Sequence, residues 1–356
     1  MILVTGCCGF IGAQFVRQWL KNVGQPVIGL DALTYAGNIA SLFEAHENPK
    51  FTFVHGNICD ADLVAKLLQK YQPWAIINFA AESHVDRSIT GPKIFVDTNV
   101  MGTFTLLDEA QRYRESLPAA KRDAFRYLQI STDEVFGSLG ENDAPFHEES
   151  RYMPNSPYAA SKASSDHLVK SFFKTYGFPA MITNCSNNYG PGQFPEKLIP
   201  LMITRALANE PLPVYGNGRN KRDWLYVLDH CDAVTQVLFD GEIGESYCIG
   251  GESEYRNIDV VETLCDLMDK RLPLANGESY RCLIQFVQDR PGHDWRYATS
   301  INKIQQALGW SPKKSFETGL AETVDWYLDN AAWMRDITER QSQNLFGTAS
   351  VLNKAA

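Results

Sequence analysis

The sequence has 356 residues, of which 44% are hydrophobic and 21% charged, a composition typical of a soluble globular protein. This length predicts one large domain or two closely joined domains. The formal net charge of −9 argues against a non-specific nucleic-acid-binding protein, because that function requires a basic surface. The sequence opens with a strand pattern rather than a targeting segment, and the apolar run at residues 74–81 is too short to cross a bilayer.

The eight cysteines are scattered and include no C-x-x-C pair, so the sequence does not suggest a metal or redox site. Cys7 and Cys8 are adjacent within a glycine turn, which is a poor position for a structural disulfide. We therefore expect no bound metal and reduced thiols, as in a cytoplasmic protein.

Short apolar strands alternate with helical patterns through the first half of the chain, which predicts an α/β fold. The continuous apolar runs are typical of strands buried on both faces, as in a Rossmann-like, doubly wound parallel sheet. The predicted strands are residues 2–5, 27–30, 51–55, 75–79, 127–131 and 180–185. The predicted helices are residues 11–22, 63–71, 99–115, 158–176, 260–270 and 301–308.

The sequence changes in character after about Asn187, where turn-rich stretches interleave with shorter elements. We predict a Rossmann-like domain over residues 1–186 and a smaller mixed α/β C-terminal substrate-binding lobe over residues 187–330. Some later segments, at about residues 222–250, are expected to return to the first domain. Residues 339–356 are polar and aperiodic, and we predict a loose tail there.

The first predicted strand leads into T-G-C-C-G-F-I-G, which places Gly6, Gly9 and Gly12 at three-residue spacing before a helix. Glycines at this spacing allow a tight turn, close approach of the backbone to a pyrophosphate, and close helix–strand packing. Such a turn also occurs without a ligand, but here Asp31 ends the second strand about 20 residues later, as in dinucleotide-binding folds. The Asp31 carboxylate would accept hydrogen bonds from ribose hydroxyls and would repel a 2′-phosphate, so NAD is favoured over NADP.

The carboxyl ends of the next strands carry further candidate contacts to a dinucleotide. Asn57 and Ile58 follow the third strand and could flank the adenine. Ala80, Ala81, Glu82, Ser83 and His84 follow the fourth strand. His84 is equally consistent with a core histidine and with a ligand contact.

Tyr158 and Lys162 form a Y-x-x-x-K pattern after Asn155-Ser156-Pro157, at the start of a predicted helix. Residues four apart project from nearly the same helix face. Lys162, together with the positive charge of an oxidised nicotinamide, would lower the pKa of Tyr158. The Tyr158 phenol would then take a proton from a sugar hydroxyl while hydride leaves the sugar. In isolation, such a pair is usually structural.

Residues 131–137, S-T-D-E-V-F-G, lie where the fifth predicted strand leaves the sheet and should face the same crevice. Two adjacent acids after a strand often cap a helix. In combination with Tyr158 and Lys162, however, Asp133 and Glu134 indicate an elimination. Loss of water across two carbons needs one base for a C–H proton and one acid for the leaving hydroxyl, roles that two carboxyls with separated pKa values can fill.

An ordered set of segments makes the chain resemble the extended branch of the short-chain dehydrogenase/reductase superfamily and, within it, the dTDP-glucose 4,6-dehydratase family. The resemblance extends to about Asn330. Its segments are TGCCGFIG, DALTYAGN, FAAESHVDRSI, DTNVMGT, QISTDEVFGS, PYAASKA, NCSNNYGPGQFPEKLIPLMI, RDWLYVLDH and QDRPGHDWRY. The resemblance implies a tightly bound NAD that is regenerated in each turnover, a dTDP-glucose substrate and a homodimer. Cys7-Cys8 stand where the family usually has Gly-Ala.

The resemblance also implies roles for individual residues. Thr132 would hydrogen-bond the 4-hydroxyl of the sugar, Asp133 would be the acid and Glu134 the base, with Tyr158 and Lys162 completing the catalytic set. The implied cofactor contacts are Gly6, Gly9, Phe10, Ile11, Gly12, Asp31, Ala32, Leu33, Thr34, Asn57, Ile58, Ala80, Ala81, Glu82, Ser83, Thr98, Tyr158, Lys162 and Asn188. The implied substrate contacts are His84, Thr132, Asn187, Lys197, Leu198, Pro213, Val214, Tyr215, Arg222, Asn257, Asp289, Arg290 and His293.

Three other functions share part of this pattern. A nucleotide-sugar 4-epimerase of the same fold would need the oxidation step but would leave Asp133 and Glu134 without a role. A 4,6-dehydratase of a UDP-, CDP- or GDP-hexose would differ mainly around residues 213–215, where the sequence discriminates weakly. A non-catalytic dinucleotide-binding sensor would not need the two acids together with Tyr158 and Lys162.

Overall fold

The computed structural model describes residues 1–335 and residue 337, so the tail predicted for residues 339–356 lies outside the described residues. The strands, numbered in chain order, are β1 (Ile2–Thr5), β2 (Val27–Asp31), β3 (Phe51–His55), β4 (Ala75–Asn78), β5 (Arg126–Thr132), β6 (Ala180–Cys185), β7 (Asn187–Tyr189), β8 (Leu212–Tyr215), β9 (Lys221–Tyr226), β10 (Ser246–Ile249), β11 (Glu254–Arg256) and β12 (Ile284–Val287). The helices are α1 (Phe10–Asn22), α2 (Ala61–Tyr71), α3 (Val85–Thr90), α4 (Lys93–Phe95), α5 (Thr103–Ser116), α6 (Ala119–Ala124), α7 (Pro157–Tyr176), α8 (Leu198–Leu207), α9 (Val227–Asp240), α10 (Asn257–Arg271), α11 (Asn302–Leu308) and α12 (Phe316–Asp329).

Within the described residues, seven strands form one parallel sheet in the order β10-β6-β5-β4-β1-β2-β3. Both faces of this sheet are covered. Ile2 and Val4 of β1 pack in a core with α1 and α9, whereas Leu3 packs on the opposite face with α2 and α5. The doubly wound α/β architecture is thereby confirmed. The strand order reverses between β1 and β4, which is the position where ligands bind in sheets of this kind.

The C-terminal lobe is built from short strands and helices around a core of its own. β9 lies between β7 and β11, and β8 pairs in parallel with β12. Helices α8, α10 and α12 supply buried residues to this core. β10 lies in the main sheet beside β6, and α9 packs on α1, so the chain crosses between the two lobes more than once. None of the helices in residues 1–335 has the length and apolarity needed to span a bilayer.

Helix α7 has defined ends because two local signals fix its start and one fixes its end. The Ser156 hydroxyl accepts the Ala159 N–H, and Pro157 occupies the first turn, where its missing N–H costs nothing. The helix ends at Gly177, which adopts a left-handed conformation with φ +60°. These signals place Tyr158 and Lys162 in the first two turns, beside the carboxyl end of β5.

The helix predicted at residues 99–115 begins as a π-helical turn, Val96–Gly102, before continuing as α5. Asn99 lies in this turn and is buried. Its side-chain amide accepts the Glu82 N–H (2.8 Å) and donates to the Glu82 carbonyl (3.0 Å) and to the Ser161 hydroxyl (2.8 Å). One side chain therefore holds the loop after β4 against α7.

We expect Asn99→Ala to lower the free energy of unfolding by about 3 kcal/mol, because it leaves a buried N–H and a buried carbonyl without partners. Urea denaturation monitored by tryptophan fluorescence would measure the change. Asn22→Ala is a matched control, since Asn22 is exposed near the end of α1, and it should change stability by no more than about 0.5 kcal/mol. Equal effects of the two substitutions would contradict the bridging role of Asn99.

Candidate active site

A cleft with about 1560 Å³ of empty space runs along the carboxyl ends of β1, β2, β4, β5 and β6. Most of the residues that the sequence analysis assigned to a cofactor or to catalysis line this cleft together. They are Gly6, Gly9, Phe10, Ile11, Gly12, Asp31, Ala32, Thr34, Asn57, Ile58, Ala80, Ala81, Glu82, Ser83, Thr98, Thr132, Asp133, Glu134, Tyr158, Lys162 and Asn188. Two of the expected substrate contacts, Asn187 and Lys197, also line it.

The three glycines between β1 and α1 are required for different reasons. Gly6 has φ +68°, and a Cβ there would lie 2.6 Å from the Ala80 nitrogen. A Cβ on Gly12 would collide with the Gly6 carbonyl. At Gly9, in contrast, the nearest protein atom that a Cβ would meet is the Gly6 carbonyl oxygen at 3.4 Å, so the space above Gly9 belongs to the cleft.

The N-terminus of α1 faces this space with no competing negative charge of its own. Its cap residue, Gly9, makes no side-chain capping bond, and the first turn contains no acidic residue. Unpaired N–H groups at a helix N-terminus favour phosphate binding. The open space and the free donors together fit the pyrophosphate of a dinucleotide.

The Asp31 carboxylate is fixed at the end of β2 by two backbone donors. The Cys8 N–H donates to Oδ2 (2.8 Å) and the Leu33 N–H donates to Oδ1 (2.7 Å). Burial raises the pKa of Asp31, and the two N–H bonds oppose that shift. The carboxylate keeps lone pairs toward the cleft, where they suit a pair of ribose hydroxyls.

Leu33 was expected to contact the cofactor, but the structure does not place it among the residues that line the cleft. It has φ +48° and contributes its backbone N–H to Asp31. Cys7 and Cys8 are fully buried and do not line the cleft either. The Cys7 thiol lies against Gly29 of β2, where a Cβ would come within 2.6 Å of its sulfur.

A 3₁₀ turn after β5 presents the two adjacent carboxyls. Thr132 caps this turn by accepting the Glu134 N–H (3.3 Å). The turn closes at Gly137, with φ +91°, where a Cβ would collide with the Met153 carbonyl. Asp133 is 1% exposed, with its Oδ1 3.4 Å from the Thr132 hydroxyl and its Oδ2 3.3 Å from the Thr299 hydroxyl.

The surroundings give the two carboxyls different proton affinities. Burial, and then the charges of Glu134 and Asp223, hold the pKa of Asp133 well above its usual range. Burial also raises the pKa of Glu134, but Arg290, Lys197 and Arg222 oppose that shift. Asp133 is therefore the group suited to carry a proton, and Glu134 is the group suited to accept one.

Tyr158 faces the same carboxyls, and its surroundings within the protein oppose its ionisation. Burial, and then the charge of Glu134, hold the pKa of Tyr158 well above its usual range. The Lys162 ammonium is itself buried and donates to the Ile130 carbonyl (2.6 Å). Within the protein, the strongest opposing influence on Tyr158 is a hydrogen bond with Thr132.

The C-terminal lobe contributes unpaired polar atoms near the cleft. In the described part of the chain, Asn187 Oδ1, Asn257 Oδ1 and Arg290 Nε are buried without a hydrogen-bond partner. Buried polar atoms are normally paired, so these three indicate a polar ligand between the lobes. Lys197 lines the cleft together with Asn187 and donates to the Ser83 carbonyl (2.9 Å), joining the two lobes.

Asn188 is held inside the cleft wall rather than left free for a ligand. Its amide donates to the Ser186 carbonyl (3.0 Å), and its Oδ1 pairs with His230 Nδ1 (2.9 Å). Both the nitrogen and the oxygen of the Asn188 side-chain amide thus have partners within the protein. A cofactor would contact other atoms of this residue.

The other expected substrate residues lie outside the cleft. Near its open end, Asp86 accepts hydrogen bonds from the Tyr215 hydroxyl (3.2 Å) and from Arg290 Nη1 (3.2 Å). His293 Nδ1 lies 2.6 Å from Asp289 Oδ1, and its ring lies 6.2 Å from that of Tyr215.

Two of these residues, Arg222 and Val214, have different environments from those expected. The Arg222 guanidinium stacks on Tyr297 and donates to backbone carbonyls, including that of Lys221 (2.7 Å), so fewer of its donors remain for a diphosphate. Val214 is buried in the core of the C-terminal lobe, because Pro213 and Tyr215 take the opposite face of β8.

Leu198 packs against that same core. His84 caps α3 by accepting the Arg87 N–H (3.3 Å), and burial lowers its pKa to about 4, so the imidazole is neutral. Neither residue lines the cleft.

Glu196 also lines the cleft, although no pattern in the sequence predicts a functional role for it. Glu196 accepts a hydrogen bond from the Tyr35 hydroxyl (3.0 Å) and lies 3.8 Å from His84 Nε2. Burial raises its pKa. Its position directly before Lys197 is the one hint of a role in the site. A single acidic residue in a loop forms no repeating pattern that would distinguish it from other surface acids.

Comparison with known proteins agrees with this geometry. A family model described as GDP-mannose 4,6 dehydratase matches residues 3–323. The chain is 54% identical over 337 residues to a dTDP-glucose 4,6-dehydratase of Xanthomonas campestris pv. campestris, covering 95% of each chain. It is 52% identical to a dTDP-glucose 4,6-dehydratase of Neisseria meningitidis serogroup B, covering 94% of this chain and 95% of that one. The crystal structure of DesIV, a dTDP-glucose 4,6-dehydratase of Streptomyces venezuelae with NAD bound, matches with a TM-score of 0.86 and 44% identity, covering 94% of this chain and 99% of DesIV.

We expect Gly9→Ala to abolish retention of NAD while changing the stability of the nucleotide-free protein by no more than about 0.5 kcal/mol, because the added Cβ meets the ligand space and not the protein. The nucleotide released on denaturation would be quantified by its absorbance. Gly91→Ala serves as the control and should retain NAD, because Gly91 is exposed and an added Cβ would lie 3.7 Å from its nearest neighbour, the Arg87 carbonyl oxygen. Full retention of NAD by Gly9→Ala would contradict the proposed pyrophosphate position.

Proposed function

The chain belongs to the dTDP-glucose 4,6-dehydratase family, and from this premise we propose which of its residues carry each step. The enzyme is a hydro-lyase that depends on NAD and converts dTDP-glucose to dTDP-4-keto-6-deoxyglucose. The observation that carries the proposal is the convergence of Tyr158, Asp133 and Glu134 on one dinucleotide cleft, with Asp133 suited to be an acid and Glu134 a base.

Bound NAD would supply a hydride acceptor and donor, together with a positive charge beside Tyr158. That charge would favour the phenolate, which burial within the protein alone opposes. Tyr158 takes the proton from O4 of the hexose as the C4–H bond gives up its hydride. Thr132 lies beside both Tyr158 and Asp133, where its hydroxyl can bond the same 4-oxygen.

Oxidation at C4 makes the neighbouring C5–H acidic, because the carbanion is conjugated with the new ketone. Glu134 removes this proton, and the C6–O bond breaks as Asp133 delivers its proton to the leaving oxygen. Water is released and a C5=C6 double bond forms. The hydride then returns to C6, and Glu134 returns its proton to C5, so the 4-ketone remains in the product.

The three cations around Glu134 also suit an anionic substrate. Burial raises the pKa of Glu134, and Arg290, Lys197 and Arg222 oppose that rise, which favours its role as the base. Arg290 has a buried Nε without a partner among the described residues, so it is the best-placed guanidinium for the diphosphate. Pro213 and Tyr215, on one face of β8, are proposed to flank the base.

The alternative functions fit the site less well. An epimerase has no use for a buried carboxyl that stays protonated beside a second carboxyl, as Asp133 does beside Glu134. A dehydratase for another nucleotide sugar would keep the same chemistry. The dTDP specificity of the relatives favours dTDP-glucose here.

The test is a panel of nucleoside-diphosphate hexoses, with product measured by the absorbance of the 4-keto sugar in alkali. We expect turnover of dTDP-glucose. Asp133→Asn should lower product formation by at least 100-fold, because an amide cannot supply the proton, while hydride removal from C4 continues. Single-turnover absorbance would follow the reduced nucleotide that accumulates.

Asp123→Asn is the control for this substitution, because Asp123 is 73% exposed and remote from the cleft. It should turn over dTDP-glucose at the parental rate. A parental rate in Asp133→Asn would refute the assignment of Asp133 as the acid. Product from another nucleotide sugar, with none from dTDP-glucose, would refute dTDP-glucose as the substrate.

We also propose that the protein is a cytoplasmic homodimer. An exposed apolar surface on the π-helical turn, α5 and α7 supports self-association. Its members are Val96 (50% exposed), Met101 (51%), Phe104 (40%) and Tyr176 (56%). The eight cysteines are all free thiols, which suits a reducing compartment.

Met101→Asp should convert the dimer to a monomer at micromolar concentration, because it places a charge in an apolar interface. Sedimentation velocity would measure the mass. Phe286→Glu is the matched control, since Phe286 is 57% exposed on β12 of the other lobe, and it should leave the dimer intact. A dimer that survives Met101→Asp would place the interface elsewhere.

A further inference from the structure

The proposed reaction leaves a proton imbalance that the enzyme must correct before its next turnover. This argument rests on the proposed function. Over one cycle Glu134 gains a proton from C5 and returns it. Tyr158 gains the O4 proton, and Asp133 loses the proton that leaves with water. One proton must therefore leave Tyr158, and one must reach Asp133, each time the reaction is completed.

Asp133 has two oxygens with different neighbours. Oδ1 lies 3.4 Å from the hydroxyl of Thr132, which belongs to the cleft and lies beside Tyr158. Oδ2 lies 3.3 Å from the hydroxyl of Thr299, which is not part of the cleft. Substrate in the cleft would cover the Oδ1 side and leave the Thr299 side unchanged.

Thr299 also lines a second cavity that opens elsewhere on the protein. This cavity reaches the surface at exposed residues such as Pro145, Glu149 and Glu252. Thr299 itself is 6% exposed. Thr299 thus both contacts the buried carboxyl of Asp133 and lines a space that water can enter without passing through the substrate cleft.

A second buried acid lies on the same side. Asp223 lines the cavity and accepts the Gly251 N–H (2.9 Å) and the Ser253 N–H (2.8 Å). A Cβ on Gly250 would lie 2.7 Å from Asp223 Oδ2 and 2.7 Å from the Thr299 carbonyl, so these oxygens are close neighbours. Burial raises the pKa of Asp223 to about 6.

The charges around Asp133 favour recapture of a proton. Burial, and then the charges of Glu134 and Asp223, raise the pKa of Asp133, whereas Arg222 and the hydrogen bond from Thr299 oppose that rise. The Cys185 and Cys248 thiols also face this carboxyl, and burial raises the pKa of both, so they are neutral and bring no cation. An ionised Asp133 would therefore draw a proton from any donor that reaches it.

We propose that the Thr299 hydroxyl relays a proton from the second cavity to Asp133 between turnovers. The hydroxyl gives its proton to Asp133 Oδ2 and takes one from water in the cavity, and bulk solvent returns a proton to that water, so no bond to carbon changes and the charge is balanced. Tyr158 releases its proton on the cleft side once product leaves. Thr299 acts through Asp133 and does not touch the substrate.

Thr299→Val tests the relay, because it replaces the hydroxyl by a methyl of similar size. The enzyme starts with Asp133 protonated, so the first turnover of dTDP-glucose should proceed at the parental rate. Later turnovers should be at least tenfold slower, giving a burst of about one product per site, and the slow phase should show a larger solvent deuterium isotope effect than the parent. Rapid-quench product measurement would resolve the two phases.

Two further variants separate a relay from a structural role. Thr299→Ser keeps the hydroxyl and should restore steady turnover. Ser300→Ala removes a neighbouring hydroxyl of the same cavity that has no bond to Asp133, and it should behave as the parent.

Equal slowing of the first and later turnovers in Thr299→Val would overturn the relay, because it would mean that Thr299 merely positions the acid. Parental steady-state turnover of Thr299→Val would also overturn it. Failure of the proposed function gives a different result, since Asp133→Asn would then eliminate water at the parental rate whatever Thr299 does.

Discussion

Burial of the Asp133 carboxyl without an ion pair is the constraint on which the site depends. In water this carboxyl would be ionised at neutral pH, and it could not protonate a leaving hydroxyl. Among the described residues it meets two hydroxyls and two further carboxyls, and no cation lies within ion-pair distance. Taking a lone carboxylate out of water is so unfavourable that the group keeps its proton instead. The same environment that destabilises the charge therefore supplies the acid.

The buried Asp133 carboxyl lies where the two lobes meet the edge of the main sheet, and both lobes contribute to its surroundings. Thr132 ends β5 in a buried position and starts the turn that carries Asp133 and Glu134. The C-terminal lobe then encloses the turn, with Thr299 and Asp223 behind Asp133 and three cations near Glu134. Adjacent residues thus acquire opposite roles, because one points into a dry carboxyl-rich space and the other toward cations.

The floor of the site is held by a buried polar network rather than by apolar packing alone. Asp166 accepts hydrogen bonds from the Ser131 hydroxyl (2.7 Å), the Tyr152 hydroxyl (3.0 Å) and the Asn184 amide (3.2 Å). Its charge acts on Lys162, one turn away on α7. Because each donor has one acceptable position, such a network fixes α7 relative to β5 and β6 and hence fixes Tyr158 relative to Asp133.

Local patterns in the sequence determined the parallel sheet, the glycine turn with Asp31, and the start of α7 at Ser156-Pro157, because each depends on the chemistry of neighbouring residues. They also identified Asp133, Glu134, Tyr158 and Lys162 as a chemical set. Tertiary structure alone decided how these groups are charged. Several deciding partners come from segments that are distant along the chain: Asp223 raises the pKa of Asp133, the Ile130 carbonyl binds Lys162, and the Asp294 carbonyl binds Arg222. Val214 is likewise buried by helices from other parts of the C-terminal lobe. Burial and electrostatic fields depend on distance in space, and no spacing along a sequence specifies that distance.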